Sequence, residues 1–340
     1  MKIEEKIGKL EEYLRNKKSI LGFSAGSDST LLAYILSKVS TESILVTINN
    51  NMMPKEFIEY TKTQAKKFNL KHKVINLDFL THETFKNNTK ERYYECRNLM
   101  YYNIQQLPEF NDYDYFIEGT NLTDLLEDRP GILVLDKYNM ISPLVECNIT
   151  KEEVFQMIKY FDLEYSYDTT CLATRVKTNQ QVNREKLTKI YKAEQFVRKN
   201  VKQENIRVRT DKNNATISVD EPLKILDEKL IKKLRDKLQE LGYSKVFLDI
   251  TGYEKTELIY KIDETGKYYH QLPYPIDIEK TYENLKNKYD ANTLLKIDDK
   301  ISYEDIIIQE NGKITINPTE KFIDKFNKIL SCVKRKYYEK

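Results

Sequence analysis

Apolar runs of strand length alternate with segments of helical spacing through the first half of the chain. The strand-like runs span 20–23, 43–48, 73–77, 113–121 and 141–144. Between them, apolar residues recur at helical spacing, which predicts helices over 31–36, 54–68 and 90–106. Strands that alternate with helices in this way are typical of a parallel sheet covered by helices. The predicted fold class is therefore α/β.

The pattern changes in the second half. A capping box at Thr150 starts one helix, and a charged amphipathic helix covers 185–199, with a loop at 168–175 between the two. Two β-like runs, a helix that ends at Gly242 and a further strand then predict a small α+β domain. After about Tyr260 this regularity is lost, so we predict an accessory segment there.

Composition excludes several classes of protein. With 340 residues, the chain is long enough for two or more domains with hydrophobic cores. Its 56 basic and 53 acidic residues nearly cancel, so composition does not require a nucleic-acid partner. No apolar run reaches membrane-spanning length, and the charged first residues are unlike a signal peptide. Four scattered cysteines do not form a disulfide framework, so we expect a cytoplasmic protein with reduced thiols.

A loop of small residues, Ser24 to Thr30, connects the first apolar run to the following helix. The first N–H groups of a helix lack intrahelical partners and the helix dipole is positive at that end, so phosphate is a natural ligand there. Glycine and serine leave room for an approaching polyphosphate. The alternative is an ordinary helix start capped by serine or aspartate. Because strand, small-residue loop and helix occur together, we predict a phosphate site.

Three further segments carry candidate chemistry. Segment 119–131 holds carboxylates and an arginine directly after a predicted strand. The carboxylates could bind Mg²⁺ beside the phosphate loop, although an ordinary solvated loop has the same composition. Cys171 precedes Arg175 by four residues, an environment that lowers the pKa of a thiol, although an isolated cysteine is more often a small buried residue. Arg207 and Arg209 share one face of a strand and suit a phosphate or a carboxylate, although solvated strand arginines show the same pattern.

Taken in order, these motifs resemble those of one enzyme family. They are Ser-x-Gly-x-Asp-Ser at 24–29, Gly-Thr-Asn-x-x-Asp-x-x-x-Asp-Arg-Pro-Gly at 119–131, Ser-Pro-Leu at 142–144, Cys-Leu-Ala-x-Arg at 171–175, Glu-Lys-Leu at 185–187 and Arg-Val-Arg at 207–209. This order is similar to that of the LarE family, which belongs to the PP-loop (HUP-like) superfamily. Its members are ATP-dependent sulfurtransferases acting on pyridinium-3,5-biscarboxylic acid mononucleotide in nickel-pincer cofactor biosynthesis. The resemblance extends to about Tyr253.

The pattern of elements and the resemblance together predict three domains, the last of which the family pattern does not explain, and the resemblance implies a reaction. The domains are a PP-loop ATP pyrophosphatase domain at 1–170, an α+β substrate and sulfur-transfer domain at 171–258 and an accessory C-terminal extension at 259–340. In the implied reaction, ATP with Mg²⁺ adenylates a substrate carboxylate, and the Cys171 thiolate then displaces AMP to form a thioester. Cleavage of the cysteine C–S bond would leave a thiocarboxylate on the substrate and dehydroalanine on the protein.

The resemblance also implies roles for individual residues. The pyrophosphate cradle would be Ser24, Gly26, Ser27, Asp28 and Ser29, and the nucleotide crevice would be lined by Gly119, Asn121, Asp124 and Asp128, with Asp124 and Asp128 as Mg²⁺ ligands. Arg207 and Arg209 would hold the substrate phosphate. The candidate catalytic residues are Cys171, Asp28, Arg175 and Glu194. We expect a small mononucleotide as the substrate and a homo-oligomeric assembly.

Departures from the family pattern leave alternatives open. Some relatives use a Cys-x-x-Cys to hold an iron–sulfur cluster, but Tyr93 replaces its first cysteine here, and Cys96 with Cys171 alone would be poor cluster ligands. These two cysteines could instead alternate as nucleophile and persulfide carrier, as in PP-loop enzymes that thiolate tRNA, although the near-neutral charge argues against a tRNA partner. Ala25 stands where the family has another glycine, and we expect its methyl group to narrow the cradle. A diverged nucleotide-binding scaffold is the third alternative.

Overall fold

The computed structural model describes residues 2–167, 170–253, 258–289, 293–319 and 321–336. Its helices are α1 (Ile3–Leu14), α2 (Ser27–Val39), α3 (Phe57–Lys67), α4 (Glu83–Lys86), α5 (Arg92–Gln105), α6 (Leu133–Lys137), α7 (Pro143–Glu146), α8 (Lys151–Tyr160), α9 (Arg184–Asn200), α10 (Glu228–Glu240), α11 (Ile278–Lys288) and α12 (Phe322–Leu330). Among these described residues, no helix has both the length and the apolarity needed to cross a membrane.

The strands follow the same numbering in chain order. They are β1 (Lys18–Gly22), β2 (Glu42–Asn49), β3 (Lys71–Asn76), β4 (Tyr115–Ile117), β5 (Met140–Ile141), β6 (Ile206–Asp211), β7 (Asn214–Val219), β8 (Lys245–Leu248), β9 (Lys261–Ile262), β10 (Tyr268–Gln271), β11 (Leu294–Ile297), β12 (Lys300–Tyr303), β13 (Ile306–Gln309) and β14 (Lys313–Ile316). The run predicted as a strand at 141–144 is mostly helical, because Pro143 begins α7.

Five strands form one parallel sheet in the order β3-β2-β1-β4-β5. β1 pairs with β2 from Lys18 opposite Glu42 to Gly22 opposite Val46, and β2 pairs in turn with β3. The interior residues of β1 and β2 are buried without alternation, as expected for strands covered on both faces. The α/β prediction is confirmed. Loops at the carboxyl edge of such a sheet are where ligands bind in this class of fold.

By its internal contacts the described chain divides into two compact units. One comprises 16–116 and 163–255, and the other comprises 1–15, 117–162 and 256–340. Each unit combines segments that are distant in sequence. The units therefore do not coincide with the three predicted domains, which are continuous stretches divided at 170 and 258. That division stays a prediction.

Within the 16–116 and 163–255 unit, β6, β7 and β8 form the small α+β fold that the sequence predicted. β6 and β7 are antiparallel across a tight turn, and β8 runs parallel to β7. α9 and α10 pack on this sheet through Val197, Leu234 and Leu238, which are buried together with the apolar residues of the strands. α10 is followed by Gly242, whose φ of +92° is the left-handed conformation expected after a helix end.

The segment after Tyr260 is regular, so the prediction that regularity is lost there was wrong. It forms an antiparallel sheet in the order β11-β12-β13-β14-β10-β9, with α11 and α12. Ile301, Ile308 and Ile314 are fully buried in its core. Strands of two to four residues carry too few alternations for a periodicity argument to detect, which explains the failed prediction.

This C-terminal sheet shares one hydrophobic core with the loop that follows β4. Leu122, Leu125 and Val145 belong to the same buried cluster as Ile314 and Phe326. The Tyr274 hydroxyl also donates a hydrogen bond to the Leu125 carbonyl oxygen. The segment is therefore part of the structure that holds residues 122–145 rather than an appendage to it.

Candidate functional site

The phosphate loop follows β1 and ends in the first turn of α2. α2 begins at Ser27, with Gly26 as an N-cap in extended conformation. The Gly26 N–H donates to the Ser24 hydroxyl at 3.3 Å, and the Ser24 and Ser29 hydroxyls lie 3.3 Å apart. The Ser29 hydroxyl also donates to the Gly26 carbonyl oxygen at 3.2 Å. These bonds hold the loop in shape without a ligand, so an anion would meet a preorganised helix N-terminus.

Alternate residues of this loop reach the surface. Ser24, Gly26 and Asp28 are partly exposed, whereas Ser27 and Ser29 are buried. The five residues predicted to cradle pyrophosphate therefore fall into two sets. Ser24, Gly26 and Asp28 can meet a ligand directly, and the buried pair can contribute only backbone groups and support.

The Ala25 methyl group does not lie where the sequence led us to expect, in the phosphate cradle. Its backbone is left-handed, with φ of +56°, and its side chain is fully buried. Its carbonyl oxygen accepts a hydrogen bond from the Ser166 N–H at 2.8 Å. The methyl group is thus packed inside the unit and does not face the phosphate site. An alanine at this position instead costs backbone strain, about 1–2 kcal/mol for an L-residue in the left-handed conformation.

We expect Ala25→Gly to leave both stability and ATP affinity nearly unchanged. Relief of about 1–2 kcal/mol of strain is offset by the extra chain entropy of the unfolded state, about 0.4–1 kcal/mol, and by loss of a buried methyl group, about 0.8 kcal/mol. Denaturant unfolding and calorimetric titration with ATP measure both quantities. Ala25→Val is the contrasting variant and should destabilise the protein clearly, because a β-branched residue resists positive φ. A tenfold gain in ATP affinity for Ala25→Gly would show that the methyl group does narrow the cradle.

The segment that carries Cys171 is tied to the loops after β1 and β2. The Ser166 N–H bonds Ala25, and the Leu172 N–H donates to the Met52 carbonyl oxygen at 2.8 Å. Ala25 follows β1 and Met52 follows β2, so both ties lie at the carboxyl edge of the parallel sheet. The structure therefore brings the predicted nucleophile to the edge that holds the phosphate loop. Of the loop predicted at 168–175, residues 168 and 169 lie outside the described residues.

Arg175 and Glu194 form an ion pair that is almost completely buried, with each side chain 2% exposed. The Arg175 Nε donates to Glu194 Oε1 at 2.9 Å. The Arg175 Nη1 donates to the Cys171 carbonyl oxygen at 3.1 Å and to the Thr170 hydroxyl at 2.7 Å. Neither charged group reaches the surface, so both act by holding the thiol loop rather than by touching a substrate.

The same carboxylate also fixes the strand of the two predicted phosphate-binding arginines. Glu194 Oε1 accepts a hydrogen bond from the Val208 N–H at 2.9 Å. Val208 lies between Arg207 and Arg209 on β6. One buried carboxylate therefore fixes both the thiol loop, through Arg175, and the backbone of β6.

Burial raises the pKa of the Cys171 thiol above its ordinary value. The Ala173 N–H and the cationic Arg92 and Arg175 act in the opposite direction, but burial outweighs them. The lowered pKa predicted from the Cys171–Arg175 spacing was therefore wrong. Arg175 is neutralised by Glu194, which the spacing could not reveal. At neutral pH the thiol is protonated, and its thiolate fraction grows as the pH rises.

Cys96 lies near Cys171. It follows Arg92 by one turn of α5, and the Arg92 Nη1 donates to the Ala173 carbonyl oxygen at 2.5 Å. Burial raises the pKa of Cys96 to about 12, and the Cys171 thiol adds to this shift.

Among the described residues, no group of three or more His, Cys, Asp or Glu side chains could hold a metal ion. Two thiols are too few for an iron–sulfur cluster, so the residues present do not fit one.

Arg207 and Arg209 occupy the same face of β6, as the strand alternation predicted. Arg207 is half-buried and Arg209 is exposed. The Arg209 Nη1 donates to the Ser218 hydroxyl at 2.7 Å, and its guanidinium lies 5.6 Å from the Tyr253 ring centroid. Ser218 in turn donates to Asp249, whose pKa is lowered chiefly by the Thr251 N–H. Arg209 is thus held in place on the strand with its charge at the surface.

In the second unit, the turn after β4 is built around carboxylates. Asn121 and Asp124 form a capping box, in which Asp124 accepts from the Asn121 N–H at 2.9 Å. Glu118, which the sequence analysis missed, is buried and accepts from the Thr120 N–H at 2.9 Å and from the Ser142 hydroxyl. A glutamate directly after a buried strand was the available signal. Glu118 therefore joins the Gly119 turn to the Ser-Pro-Leu motif.

The two predicted Mg²⁺ ligands are both paired with arginines. Asp124 Oδ1 lies 2.7 Å from an Arg129 nitrogen, and Asp128 Oδ1 lies 2.5 Å from the Arg335 Nη1. Arg335 comes from the C-terminal segment and lies over the Tyr274 ring at 5.0 Å. These carboxylates fit a bound cation poorly as they stand, so we derive no chemical step through a metal ion. The shared crevice of this loop and the phosphate loop stays a prediction.

We expect Arg335→Met to loosen the loop that follows β4. The substitution keeps an apolar stem beside Tyr274 but removes the partner of Asp128. Because Asp128 is 59% exposed, the loss of global stability should be small, about 1 kcal/mol. Amide hydrogen exchange over 122–130 should accelerate, since local opening becomes easier. Lys336→Met is the control, because Lys336 is exposed and pairs with Glu310 instead. Equal exchange in the two variants would contradict a holding role for Arg335.

Similarity to known proteins indicates the family to which the chain belongs. No family model matches it. An uncharacterized protein of Methanocaldococcus jannaschii is 35% identical over 247 residues, which cover 72% of this chain and 94% of that protein. Pyridinium-3,5-bisthiocarboxylic acid mononucleotide synthase of Lactiplantibacillus plantarum is 23% identical over 238 residues, 68% of this chain and 86% of the synthase. tRNA(Ile)-lysidine synthase of Campylobacter jejuni is 29% identical over 173 residues, 46% of this chain and 51% of that enzyme.

The two relatives with a named activity are distant, and both belong to the PP-loop superfamily of ATP-using enzymes. The phosphate loop at the start of α2 and the parallel sheet agree with that placement. The chain belongs to the family of the Methanocaldococcus jannaschii protein, within the PP-loop superfamily.

Proposed function

We propose that the protein is an ATP-dependent sulfurtransferase of nickel-pincer cofactor biosynthesis. Its substrate would be a carboxylate of the pyridinium-3,5-biscarboxylic acid mononucleotide type, and its product a thiocarboxylate. The observation that carries the proposal is the pair of backbone ties at Ser166 and Leu172, which bring the Cys171 segment to the sheet edge of the phosphate loop. The likeness to the Lactiplantibacillus plantarum synthase supports the choice of substrate.

The first step is adenylation. A carboxylate oxygen of the substrate attacks the α-phosphorus of ATP, and pyrophosphate leaves as the bond between the α-phosphorus and the bridging oxygen breaks. The N-terminus of α2 would stabilise the charge that develops on the departing pyrophosphate. Ser24 and Gly26 are the partly exposed cradle positions that would contact that charge, and Asp28 borders them. Mg²⁺ would enter with ATP as part of that substrate.

The second step transfers sulfur. The Cys171 thiolate attacks the acyl carbon, AMP leaves, and a thioester forms. Removal of the Cys171 α-proton then drives elimination: the electron pair forms the Cα–Cβ double bond and the C–S bond breaks. The products are a thiocarboxylate and dehydroalanine. Arg175 holds the Cys171 carbonyl oxygen, so Arg175 and Glu194 are positioning residues in this scheme.

The remaining interaction is with the phosphate of the mononucleotide. Arg207 and Arg209 project from one face of β6, and guanidinium groups bind phosphate through paired hydrogen bonds. Their strand is tied to the thiol loop through Glu194. A phosphate held there would fix the distance between the substrate carboxylate and Cys171.

The experiment is to incubate the full chain with ATP, Mg²⁺ and the biscarboxylate mononucleotide, then to measure pyrophosphate and the intact protein mass. Pyrophosphate release with loss of one H₂S at Cys171 is the expected result. Absence of pyrophosphate release with this substrate would exclude the proposed function.

A second candidate is a renewable route in which Cys96 and Cys171 alternate, as in enzymes that thiolate tRNA. The proximity of Cys96 to Cys171 favours it. In that case the protein mass after turnover would be unchanged, or lower by two hydrogens where a Cys96–Cys171 disulfide has formed. A persulfide donor would be required, and tRNA would have to be tried as substrate. Cys96→Ser would then stop repeated turnover, whereas the sacrificial route would tolerate it.

A further inference from the structure

Two tyrosines border the phosphate loop and have no part in the chemistry described above. Tyr165 and Tyr167 flank Ser166, whose N–H holds the Ala25 carbonyl oxygen at 2.8 Å. Their ring centroids lie 4.6 Å apart, with an angle of 53° between the ring planes. Tyr165 is half-buried, and Tyr167 is 46% exposed. The two rings therefore form an aromatic surface, in which Tyr165 is packed against the protein and Tyr167 is accessible to solvent.

This aromatic pair, Tyr165 and Tyr167, lies within reach of the first turn of α2. Burial raises the pKa of Tyr165, a hydrogen bond with Tyr167 adds to the shift, and the carboxylates of Glu204 and Asp28 raise this pKa further. Asp28 is one of the three partly exposed residues of the phosphate loop. The pair is thus adjacent to the loop through the backbone tie at Ser166 and near the charge of Asp28.

The same pair is close to the nucleophile along the chain. Tyr167 precedes Cys171 by four positions, and the segment is tied again at Leu172. In the proposed reaction one acyl carbon is first bonded, through its oxygen, to the α-phosphorus and is then attacked by the Cys171 sulfur. The ring that bears this carboxylate must therefore lie between the phosphate loop and Cys171. Tyr165 and Tyr167 flank the tie to the phosphate loop at Ser166, on the segment that leads to Cys171.

The chemistry of the pair favours a flat cation. The face of a phenol ring carries partial negative charge, so a cation above it is attracted electrostatically. A pyridinium ring is planar and positively charged, and it can stack on tyrosine with both effects acting together. The carboxylate of Asp28 adds negative charge at one border of the surface. Adenine is planar but neutral, so it would gain only the stacking contribution.

We propose that Tyr165 and Tyr167 form a binding platform for the pyridinium ring of the substrate. The platform deepens the proposed function and rests on it for the position of the acyl carbon. It makes this pair a determinant of substrate specificity: a cationic aromatic ring is retained and a neutral one is held more weakly. Tyr167, which is the more exposed of the two, provides the accessible face.

The test is calorimetric titration of the full chain with nicotinic acid mononucleotide, which has a pyridinium ring, a carboxylate and a phosphate. Its dihydropyridine form, with a neutral ring, is the matched ligand control. Tyr167→Leu should weaken binding of the pyridinium form by about tenfold, whereas Tyr167→Phe, which keeps an aromatic face, should stay within about threefold of the unmodified chain. Tyr102→Leu is the control variant, because Tyr102 is 51% exposed on α5.

Three results would support the platform: weaker binding of the pyridinium form by Tyr167→Leu, unchanged ATP affinity in that variant, and a smaller loss for the dihydro form than for the pyridinium form. Equal binding by Tyr167→Leu and the unmodified chain would overturn it. A loss of ATP affinity instead would assign the surface to adenine and overturn it as well. A thermal melt of each variant identifies any that is simply unfolded. If Tyr167→Leu is unfolded, the two ligands are compared on the unmodified chain, and equal affinity for the pyridinium and dihydropyridine forms would overturn the platform.

Failure of the platform is distinguishable from failure of the proposed function. Pyrophosphate release by the unmodified chain together with an unchanged KM for the mononucleotide in Tyr167→Leu would refute the platform alone. Absence of pyrophosphate release together with Tyr167-dependent pyridinium binding would refute the proposed reaction and leave the platform standing.

Discussion

Cys171→Ala is expected to abolish thiocarboxylate formation while pyrophosphate release continues. The substitution removes the nucleophile but leaves the phosphate loop, which lies on a separate element, intact. Loss of a nucleophile typically reduces the rate by a factor on the order of 10⁴ or more. Coupled assays for pyrophosphate and mass spectrometry of the product measure the two steps separately. Equal loss of both activities would mean that Cys171 serves the fold or the adenylation step rather than sulfur transfer.

Cys96→Ala is the matched control, because it removes the neighbouring thiol from α5. In the sacrificial route it should leave a single turnover intact. A variant that loses the first turnover as completely as Cys171→Ala would assign the nucleophile to Cys96 and contradict the proposed role of Cys171.

The pH dependence of sulfur transfer follows from the raised pKa of Cys171. Below that pKa the thiolate fraction increases about tenfold per pH unit, so single-turnover sulfur transfer should increase with pH from neutral into the alkaline range. Adenylation does not need the thiolate and should not share this slope. A sulfur-transfer rate that is flat between pH 7 and 9 in the same assay would indicate that burial does not govern this thiol.

Glu194→Leu is expected to cause the largest loss of stability. It leaves the Arg175 guanidinium buried without a counter-charge and the Val208 N–H without its acceptor. Breaking a buried ion pair by removing one partner costs about 3–5 kcal/mol, a large share of the roughly 5–15 kcal/mol that stabilises a typical domain. Urea denaturation at 25 °C measures the change. A loss below about 1 kcal/mol would show that the pair is dispensable.

Two companion variants separate charge from packing. Replacing both partners, as in Arg175→Met with Glu194→Leu, should recover part of the loss, because no unpaired charge remains buried. Lys177→Met breaks an exposed ion pair with Asp211 and should leave stability almost unchanged, because solvent screens such pairs. If the double variant is no more stable than Glu194→Leu, the cost lies in the hydrogen bonds to Val208 and the thiol loop rather than in the charge.

The local parts of the site could be predicted from the sequence because each depends on neighbouring residues. A strand, a turn of small residues and a helix with Gly26 at its N-cap follow from short-range pattern. The alternation that places Arg207 and Arg209 on one face is likewise a property of β6 alone. The Thr150 capping box is present as expected.

The remainder depends on contacts between distant segments, and no local pattern encodes those. The raised pKa of Cys171 results from burial and from neutralisation of Arg175 by Glu194, nineteen positions further along the chain. The left-handed backbone at Ala25 is held by Ser166. Both features depend on the thiol segment lying beside the phosphate loop, which short-range sequence pattern does not specify.

The core that joins residues 122–145 to the C-terminal sheet has a consequence for biosynthesis. The Lys334–Asp136 ion pair connects residues 198 positions apart, and Ile329 and Leu330 belong to the same core as Leu122. Contacts of such long sequence separation form slowly and only after the later segment exists. The ribosome must therefore have synthesised the chain to about Lys334 before the loop after β4 can pack against its C-terminal partners. Until then its apolar side chains are exposed to chaperones, proteases and other nascent chains.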